Sequence, residues 1–415
     1  MKTLQSYFQV FQNQKMASLL LLGFSSGLPL FLTSRTLQAW MTVEGVDLAA
    51  IGLFSLVALP YSLKFLWSPL LDRFVPPFLG RRRGWLVICQ IALCLAIGAM
   101  AWQNPKSSLE LLAINALAIA FFSASQDIAF DAYRTDILEE WERGAGAAVT
   151  VLGYRLALIV TGSLALVLAN DLPWSTVYLI MAGLMALCIL FSFFAREPNL
   201  QTAAPNSLRE AIFQPFIEFF GRLGVRTGIL ILLFIVFYKL GDALVGNMVT
   251  PFLVQTGFNL KDIGVIQGGM GLIATIVGAL TGGLLLSRWG INRSLWIFGG
   301  LQAISNLVYL GLSLLGHNYP FMVLAINIEN FCAGLGTAAF IAFLMSLCNQ
   351  RYSATQFALL SSLTAMSRDI LVAPAGKIVE FTGWPWFFVL TLVFALPGLS
   401  LLPWFAPWNP KSEPH

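Results

Sequence analysis

The sequence predicts an all-α membrane protein with about twelve transmembrane helices in two six-helix halves. Hydrophobic residues make up 58% of the 415 residues, whereas only 11% are charged. Soluble domains carry roughly 25% charged residues, so this chain cannot cover a soluble surface of its size. The formal net charge of +4 is small and scattered, which argues against nucleic-acid binding. A soluble enzyme and a nucleic-acid-binding protein are therefore excluded.

The predicted helices come from apolar runs along the chain. A helix that rises about 1.5 Å per residue needs about 20 residues to cross the hydrocarbon core. Runs of that kind fall near 17–39, 50–70, 85–103, 110–136, 145–169, 174–195, 227–256, 263–286, 294–315, 319–346, 354–380 and 386–405. Because the run after Lys15 is long and no small-residue cleavage site ends it, we expect no cleavable signal peptide.

Positive charges fix the predicted orientation. With the N-terminus inside, most Lys and Arg residues fall in cytoplasmic segments, including Arg81, Arg82 and Arg83, while the outer loops hold only Lys106 and Lys261. The positive-inside rule then places both termini in the cytoplasm. We expect a multi-pass membrane protein that is surrounded by lipid and acts as a monomer.

One long connection divides the chain into an N-terminal half at 1–195, a linker at 196–226 and a C-terminal half at 227–415. Within the linker, Leu208, Ile212, Phe213 and Phe216 recur at helical spacing, with charged residues between them. This pattern is typical of a helix that lies in the membrane interface. The simplest role for such a helix is to tether the two halves.

A loop motif occurs once in each half. The first copy runs from Ser68 through Asp72 and Arg73 to Gly80 and the three arginines, and the second runs from 283 to 293. Both resemble the loop signature G-x-x-x-D-R-x-G-R-R of the major facilitator superfamily, although Ser287 replaces the acid in the second copy. An aspartate here can cap a helix end and pair with arginines. We therefore predict a cytoplasmic gate formed by Asp72, Arg73, Arg81, Arg82 and Arg288.

Charged residues inside the predicted spans are the main functional candidates. Each costs at least about 2.5–3.5 kcal/mol at the bilayer centre unless it is paired or hydrated. The cations are Arg35, Lys64, Arg155, Lys239, Arg368 and Lys377, and the acids include Asp127, Asp131, Asp242 and Glu329. The alternative reading is that some of these groups form ion pairs that only hold helices together.

Depth along the helices suggests which charges meet. Asp127 and Arg155 should lie at one depth in spans 4 and 5, which we expect to be antiparallel neighbours. Lys239 and Asp242 can pair at i, i+3 within span 7. Glu329 should lie near the midplane. A carboxylate whose cationic partner moves between two states changes its proton affinity, so Asp127, Asp131, Asp242 and Glu329 are the candidate proton-coupling acids.

Polar side chains in the spans predict a cavity for an anionic solute with sugar or peptide groups. Lys and Arg suit carboxylates, while amides and phenols suit hydroxyl and peptide groups. The candidate cargo-binding residues are Arg155, Lys239, Lys64, Arg35, Tyr61, Gln126, Tyr154, Asn330, Gln356 and Arg368.

The sequence contains no arrangement of residues that is typical of an enzyme active site. The two histidines, His317 and His415, fall in a predicted loop and at the C-terminus, and the five cysteines show no CxxC spacing. The match to G-x-S-x-G at 23–27 lies inside an apolar span, where such glycines serve helix packing. No Walker sequence occurs, so ATP-driven transport is unsupported. We expect no catalytic residues, no metal and no cofactor.

Long strings of the sequence resemble the AmpG family of muropeptide permeases. They are GFSSGLPLFLTSRTLQAWMTVEGVDLAAIGLFSL at 23–56, KFLWSPLLDRFVPPFLGRRRGW at 64–85, SASQDIAFDAYRTDILEEWERGAGAAVTVLGYR at 123–155, YKLGDAL at 238–244, GLIATIVGAL at 271–280, ENFCAGLGTAAFIAFLMSLCN at 329–349 and SATQFALLSSL at 353–363. The resemblance implies a proton-driven importer of the bacterial inner membrane. Its expected cargo is N-acetylglucosaminyl-1,6-anhydro-N-acetylmuramyl peptides, which are imported for peptidoglycan recycling. In some bacteria this cargo also induces β-lactamase.

Two alternatives stay open at this stage. A carrier of the same superfamily can take another bulky anion, such as a siderophore or an acyl-CoA-like ester. A membrane enzyme or receptor is the other class, but the sequence has no nucleophile arrangement, and no soluble stretch is long enough for a sensing domain.

Overall fold

The computed structural model describes residues 14–46, 54–199, 204–372 and 374–408. Every regular element in these ranges is a helix. The predicted cytoplasmic termini, at 1–13 and 409–415, and the start of the predicted second span lie outside the described residues.

The first half contains nine α-helices among the described residues. They are α1 (Gln14–Leu32), α2 (Arg35–Val43), α3 (Leu59–Leu63), α4 (Ser68–Arg73), α5 (Arg81–Met100), α6 (Leu109–Ile137), α7 (Arg143–Leu158), α8 (Ala165–Asp171) and α9 (Trp174–Phe194). Short 3-10 segments at Phe54–Ala58, Lys64–Leu66 and Glu140–Glu142 and a π-helical segment at Ile159–Leu164 join some of them.

The linker contributes α10 (Leu208–Leu223), in agreement with the helix predicted there. The second half contains α11 (Val225–Phe237), α12 (Leu240–Gln255), α13 (Leu260–Ile263), α14 (Gly271–Ser305), α15 (Leu307–Leu315), α16 (Tyr319–Ser346), α17 (Ser353–Leu371) and α18 (Ala375–Phe405). A π-helical segment at Gly264–Met270 precedes α14.

Nine helical stretches of the described residues are long and apolar enough to cross a membrane. One of them, Gly264–Leu315, contains two of the predicted spans, because α14 breaks at Gly290, where φ is 78°. The described part of the predicted second span forms only the short apolar helix Leu56–Leu66. The total of twelve spans stays a prediction.

The predicted single span at 354–380 is interrupted. Helix α17 ends at Leu371, and α18 begins at Ala375, directly after Pro374. Proline lacks a backbone N–H, so it is tolerated at a helix start but not in the interior. Helix α17 is also rich in serine and threonine and is not among the nine candidate spans.

The described helices pack into two compact units. Neither unit coincides with the N-terminal or the C-terminal half of the sequence. One unit comprises Met1–Leu138, Val149–Phe216 and Cys348–Ser362, and the other comprises Glu139–Ala148, Ile217–Leu347 and Leu363–His415. Each unit therefore includes a short segment from the opposite half of the sequence. The predicted boundaries at 195 and 226 stay predictions.

Each unit has its own apolar core. In the first, Trp40 stacks on Trp174 with ring centroids 5.8 Å apart, and the Tyr178 hydroxyl donates to the Leu32 carbonyl at 3.0 Å. In the second, Phe388 packs against Phe252 with centroids 4.9 Å apart. These cores hold the helices that carry the buried charges.

Candidate transport site

The first cluster of buried charges surrounds Asp131 on α6. Its carboxylate accepts from Lys64 Nζ at 3.3 Å and from Arg134 Nη2 at 2.9 Å. The Arg134 guanidinium also lies over the Phe357 ring, 4.7 Å from its centroid. Asp131 is therefore neutralised by two cations, which offsets the cost of burying the carboxylate.

Asp127 lies one helical turn before Asp131. Its Oδ1 atom accepts from the Ser26 hydroxyl at 2.5 Å, and Lys64 is its nearest interacting cation. Glycines bring the Ser26 helix close to α7: a Cβ at Gly153 would collide with the Leu20 carbonyl. The predicted pairing of Asp127 with Arg155 is wrong, because Ser26 on α1 takes the place beside the carboxylate.

The predicted cargo-binding residues of the first half have different surroundings. Tyr61 faces Asp127 and Tyr154, so these two phenols border the acidic cluster. Gln126 is fully buried, and its amide oxygen accepts from the Ser25 hydroxyl at 3.3 Å. Its part in cargo binding stays a prediction.

Two arginines of the first half differ from the paired cations. Arg155 is half-buried and forms no ion pair with any described residue, although Tyr154 lies close to it. Arg35 is exposed and sits 5.1 Å from the centroid of the Phe31 ring. Both guanidinium groups keep charge that the described carboxylates do not neutralise.

The second cluster lies in the other unit and surrounds Lys239, which precedes α12. The predicted i, i+3 pair with Asp242 is confirmed, with Lys239 Nζ 3.6 Å from Asp242 Oδ2. Closer contacts come from Gln302 Oε1 at 3.0 Å and Thr337 Oγ1 at 3.3 Å. Residues of three helices, Asp242 of α12, Gln302 of α14 and Thr337 of α16, therefore converge on this ammonium group.

Glu329 on α16 belongs to the same cluster. Its carboxyl group is within hydrogen-bonding reach of Asp242 and interacts with the charge of Lys239. The Asn330 amide donates to Glu329 Oε2 at 3.0 Å and accepts from Thr275 at 3.0 Å. The sequence analysis placed Glu329 near the midplane but did not predict that it meets Lys239 and Asp242, because these residues lie in a different part of the sequence.

Close packing of α14 and α16 positions Glu329. A Cβ at Gly278 would collide with the Phe331 carbonyl, and one at Gly334 would collide with the Thr275 carbonyl. Small residues at a helix interface let the backbones approach closely. Gly278 and Gly334 therefore bring the polar groups of the two helices together. Arg368 lies exposed near the end of α17.

A third cluster forms at the predicted cytoplasmic gate. Asp72 is fully buried, and its Oδ1 atom accepts from Arg81 Nη2 and from Arg82 Nη1, both at 3.0 Å. Its Oδ2 atom accepts from the backbone N–H and the hydroxyl of Thr355, both at 2.7 Å. Thr355 lies in the first turn of α17, where N–H groups lack helical partners. The predicted helix cap with arginine partners is confirmed.

Arg82 extends this network. Its Nε atom donates to Asp136 at 2.6 Å, and its Nη2 atom donates to the Ser353 hydroxyl at 2.6 Å. All four of these side chains are buried, counting Asp72. Hydrogen bonds between an arginine and a carboxylate are charge-assisted and are stronger than those between neutral groups. The start of α17 is therefore attached to the first loop motif by a connected set of polar contacts.

The linker supports the same attachment. Arg81 Nη2 donates to the Arg351 carbonyl at 2.7 Å, while Arg351 Nη2 donates to Glu210 on α10 at 2.5 Å. The Gln356 amide donates to the Pro215 carbonyl at 3.0 Å and accepts from the Asn349 N–H at 2.6 Å. Gln356 thus stabilises the turn before α17 through these two hydrogen bonds. Its role as a cargo ligand stays a prediction.

The remaining gate candidates lie outside the Asp72 network. Arg73 is half-buried and stacks 5.7 Å from the centroid of Phe74. Arg288, in the second loop copy, is exposed. Near that copy, Gly144 packs against Gly283 and Leu286. The start of α7 therefore contacts the second copy much as the start of α17 contacts the first.

The family is decided by comparison with known proteins. The family model described as Major Facilitator Superfamily matches residues 19–370. An anhydromuropeptide permease of Escherichia coli strain K12 is 51% identical over 95% of this chain and 80% of its own length. The chain belongs to the AmpG family of the major facilitator superfamily.

Other relatives agree with this assignment. A putative transporter AmpG 4 of Rickettsia felis is 36% identical over 95% of this chain and 97% of its own length. A solved proton:xylose symporter, XylE, shares the fold with a TM-score of 0.69 at 10% identity, covering 97% of this chain and 96% of that one. The protein is a multi-pass permease of the inner membrane and not an enzyme.

Proposed function

We propose that the protein imports GlcNAc-1,6-anhydroMurNAc peptides across the inner membrane for peptidoglycan recycling, driven by the proton gradient. Family membership and 51% identity to the anhydromuropeptide permease of Escherichia coli support the cargo. Buried acid–base clusters in both units support the coupling to protons. Import proceeds by alternating access in this proposal.

The balance of charge in the second cluster carries the proposal for coupling. Asp127 and Asp131 have two nearby cations, Lys64 and Arg134, so two cations face two carboxylates in the first cluster. In the second, Asp242 and Glu329 share the charge of Lys239. Two carboxylates in contact cannot both remain ionised at low cost, so one of them holds a proton. We assign the coupling role first to Glu329, with Asp127 as the second candidate.

Cargo carboxylates need cations that are not already neutralised. Arg155 and Arg35 meet this requirement in the first unit, and the phenols of Tyr61 and Tyr154 lie beside the acidic cluster. We propose that the two arginines bind peptide carboxylates and that the phenols contact the sugar rings. Lys64 and Lys239 respond to the cargo through their carboxylate partners.

The Asp72 network is the proposed cytoplasmic gate. It attaches the start of α17 to the first loop motif through buried contacts, and these contacts have to break before that segment can separate. The proposed orientation has both termini in the cytoplasm, so the network closes the cytoplasmic end of the carrier.

Uptake of radiolabelled GlcNAc-anhydroMurNAc into membrane vesicles, with and without a pH gradient, tests the function. A pH gradient should drive accumulation, and excess siderophore or acyl-CoA should not compete. Glu329→Gln keeps the shape of a protonated acid, so it should abolish gradient-driven accumulation while sparing downhill exchange of cargo. Glu110→Gln, the same change at an exposed carboxylate, is the matched control.

The outcomes separate the two parts of the proposal. Wild-type vesicles that ignore the labelled muropeptide would refute the cargo, whereas accumulation at the wild-type ratio by Glu329→Gln would refute the coupling site. Asp127→Asn is then the next variant. Loss of β-lactamase induction on deletion of the gene tests whether the imported cargo also acts as a signal.

A further inference from the structure

The ammonium group of Lys239 lies closer to two neutral oxygens than to the carboxylate of Asp242. Gln302 Oε1 lies 3.0 Å away and Thr337 Oγ1 lies 3.3 Å away, compared with 3.6 Å for Asp242 Oδ2. These groups come from α14, α16 and α12. Lys239 is therefore held partly away from Asp242.

Gln302 is built into this arrangement. Its side chain is buried, and its Nε2 atom has no hydrogen-bond partner within the described part of the chain. A Cβ at Gly336 would collide with Gln302 Oε1 and approach Lys239 Nζ to 3.3 Å. The absence of a side chain at Gly336 thus leaves room for the amide oxygen of Gln302, and this oxygen binds Lys239.

We propose that Gln302 is a positioning residue for coupling, which holds Lys239 away from Asp242 so that the Asp242–Glu329 pair can keep a proton. This inference rests on the proposed function. Without the amide oxygen, the ammonium moves onto Asp242, and the ionised carboxylate becomes harder to protonate. The other titratable groups near the pair are Tyr238, Tyr309 and Cys332.

The test uses full-length protein in vesicles and the initial rate of labelled GlcNAc-anhydroMurNAc uptake as a function of external pH. Gln302→Met keeps the length of the side chain but removes the acceptor. A hydrogen bond to a charged group is worth enough to change an equilibrium by about tenfold. We therefore expect an uptake rate about tenfold lower at neutral pH and a pH profile moved toward acid by about one unit.

A double-mutant cycle distinguishes positioning from packing. In the Lys239→Met background, Gln302→Met should cause no further loss of downhill exchange, because the two changes remove the same contact. Gly336→Ala should move the pH profile in the same direction as Gln302→Met. Ser305→Ala is the matched control, because Ser305 is buried one turn along the same helix and donates to the Gln302 backbone carbonyl at 2.8 Å.

An equal loss of exchange in the presence and absence of Lys239 would overturn the inference, as would an unmoved pH profile in both Gln302→Met and Gly336→Ala. If wild-type uptake ignores the pH gradient, proton coupling itself fails. The exchange cycle then still reports whether Gln302 and Lys239 act as one unit, so the two failures can be told apart.

Discussion

Replacing Asp72 with asparagine should open the proposed cytoplasmic gate. The carboxylate accepts four hydrogen bonds, two from arginines and two from Thr355, and no part of it reaches solvent. Asparagine has nearly the same shape but only one acceptor oxygen and no charge. The change therefore leaves guanidinium groups buried without their carboxylate, while the rest of the network stays in place.

The expected size of the effect follows from these contacts. Hydrogen bonds to charged groups contribute roughly 1.5–3 kcal/mol each, and breaking a buried ion pair from one side costs about 3–5 kcal/mol. Asp136 still pairs with Arg82, so we take a loss of about 3 kcal/mol as the lower end of that range. A change of this size raises about a hundredfold the fraction of molecules in which the start of α17 is separated from the first loop motif.

Cysteine accessibility measures that fraction. Ala354 is fully buried in the first turn of α17, so a cysteine at this position reacts only when the segment separates from the loop motif. With the five native cysteines replaced, Ala354→Cys is labelled with a membrane-impermeant maleimide in inside-out vesicles. Asp72→Asn should speed labelling about a hundredfold, and Thr355→Val, which removes only the hydroxyl donor, should speed it less.

Arg73→Gln is the control for Asp72→Asn, because Arg73 is adjacent in sequence but stacks on Phe74 outside the network. It should leave the labelling rate at the wild-type value. Equal labelling rates in Asp72→Asn and the parent protein would refute the reasoning, because the network would then not determine whether the segment separates.

Three further results are expected. A reporter enzyme active only in the periplasm should be inactive when fused after Arg83 or Glu210 and active near Val46 or His317; activity at Arg83 would reverse the orientation. Gly153→Ala should destabilise the detergent-solubilised protein by about 3 kcal/mol, because its Cβ meets the Leu20 carbonyl. Gly183→Ala, where nothing lies within 4 Å, should not lower the melting temperature. Glu210→Gln should weaken its part-exposed contact to Arg351 by about 1 kcal/mol and make tryptic cleavage after Arg351 about fivefold faster. Arg209→Gln, at the exposed neighbour, should leave that cleavage rate unchanged.

Contacts between residues near in sequence could be predicted from the sequence. The Lys239–Asp242 pair follows from helical periodicity, and the pairing of Asp72 with Arg81 and Arg82 follows from the composition of the loop motif. The depth of Asp127 and Arg155 was not enough to predict a contact, because depth fixes the height of a side chain and not the direction in which it points. Ser26, from another helix, occupies the position beside Asp127.

Contacts between helices that are far apart in the sequence could not be predicted from the sequence. In the sequence, α13, α14 and α15 lie between the helices that carry Asp242 and Glu329, and the meeting of the two acids depends on how closely α14 and α16 pack at Gly278 and Gly334. Gln356 is a residue type suited to cargo binding, yet its amide binds backbone groups at the turn before α17 and on α10. Residue type indicates what a side chain can bind, whereas its partner depends on the packing of the helices.

The two loop copies are unequal, and this inequality bears on the gate. In the first copy, a buried carboxylate caps α17 and neutralises two arginines. In the second, Ser287 replaces the acid, and its hydroxyl donates to the Leu284 carbonyl of its own helix at 2.7 Å. That hydroxyl is uncharged and already bonded, so the second copy has no equivalent of the Asp72 cap to offer the start of α7. A loss at Asp72 therefore has no matching acid at position 287 of the second loop copy, which is why a single neutral substitution should be sufficient to release the segment.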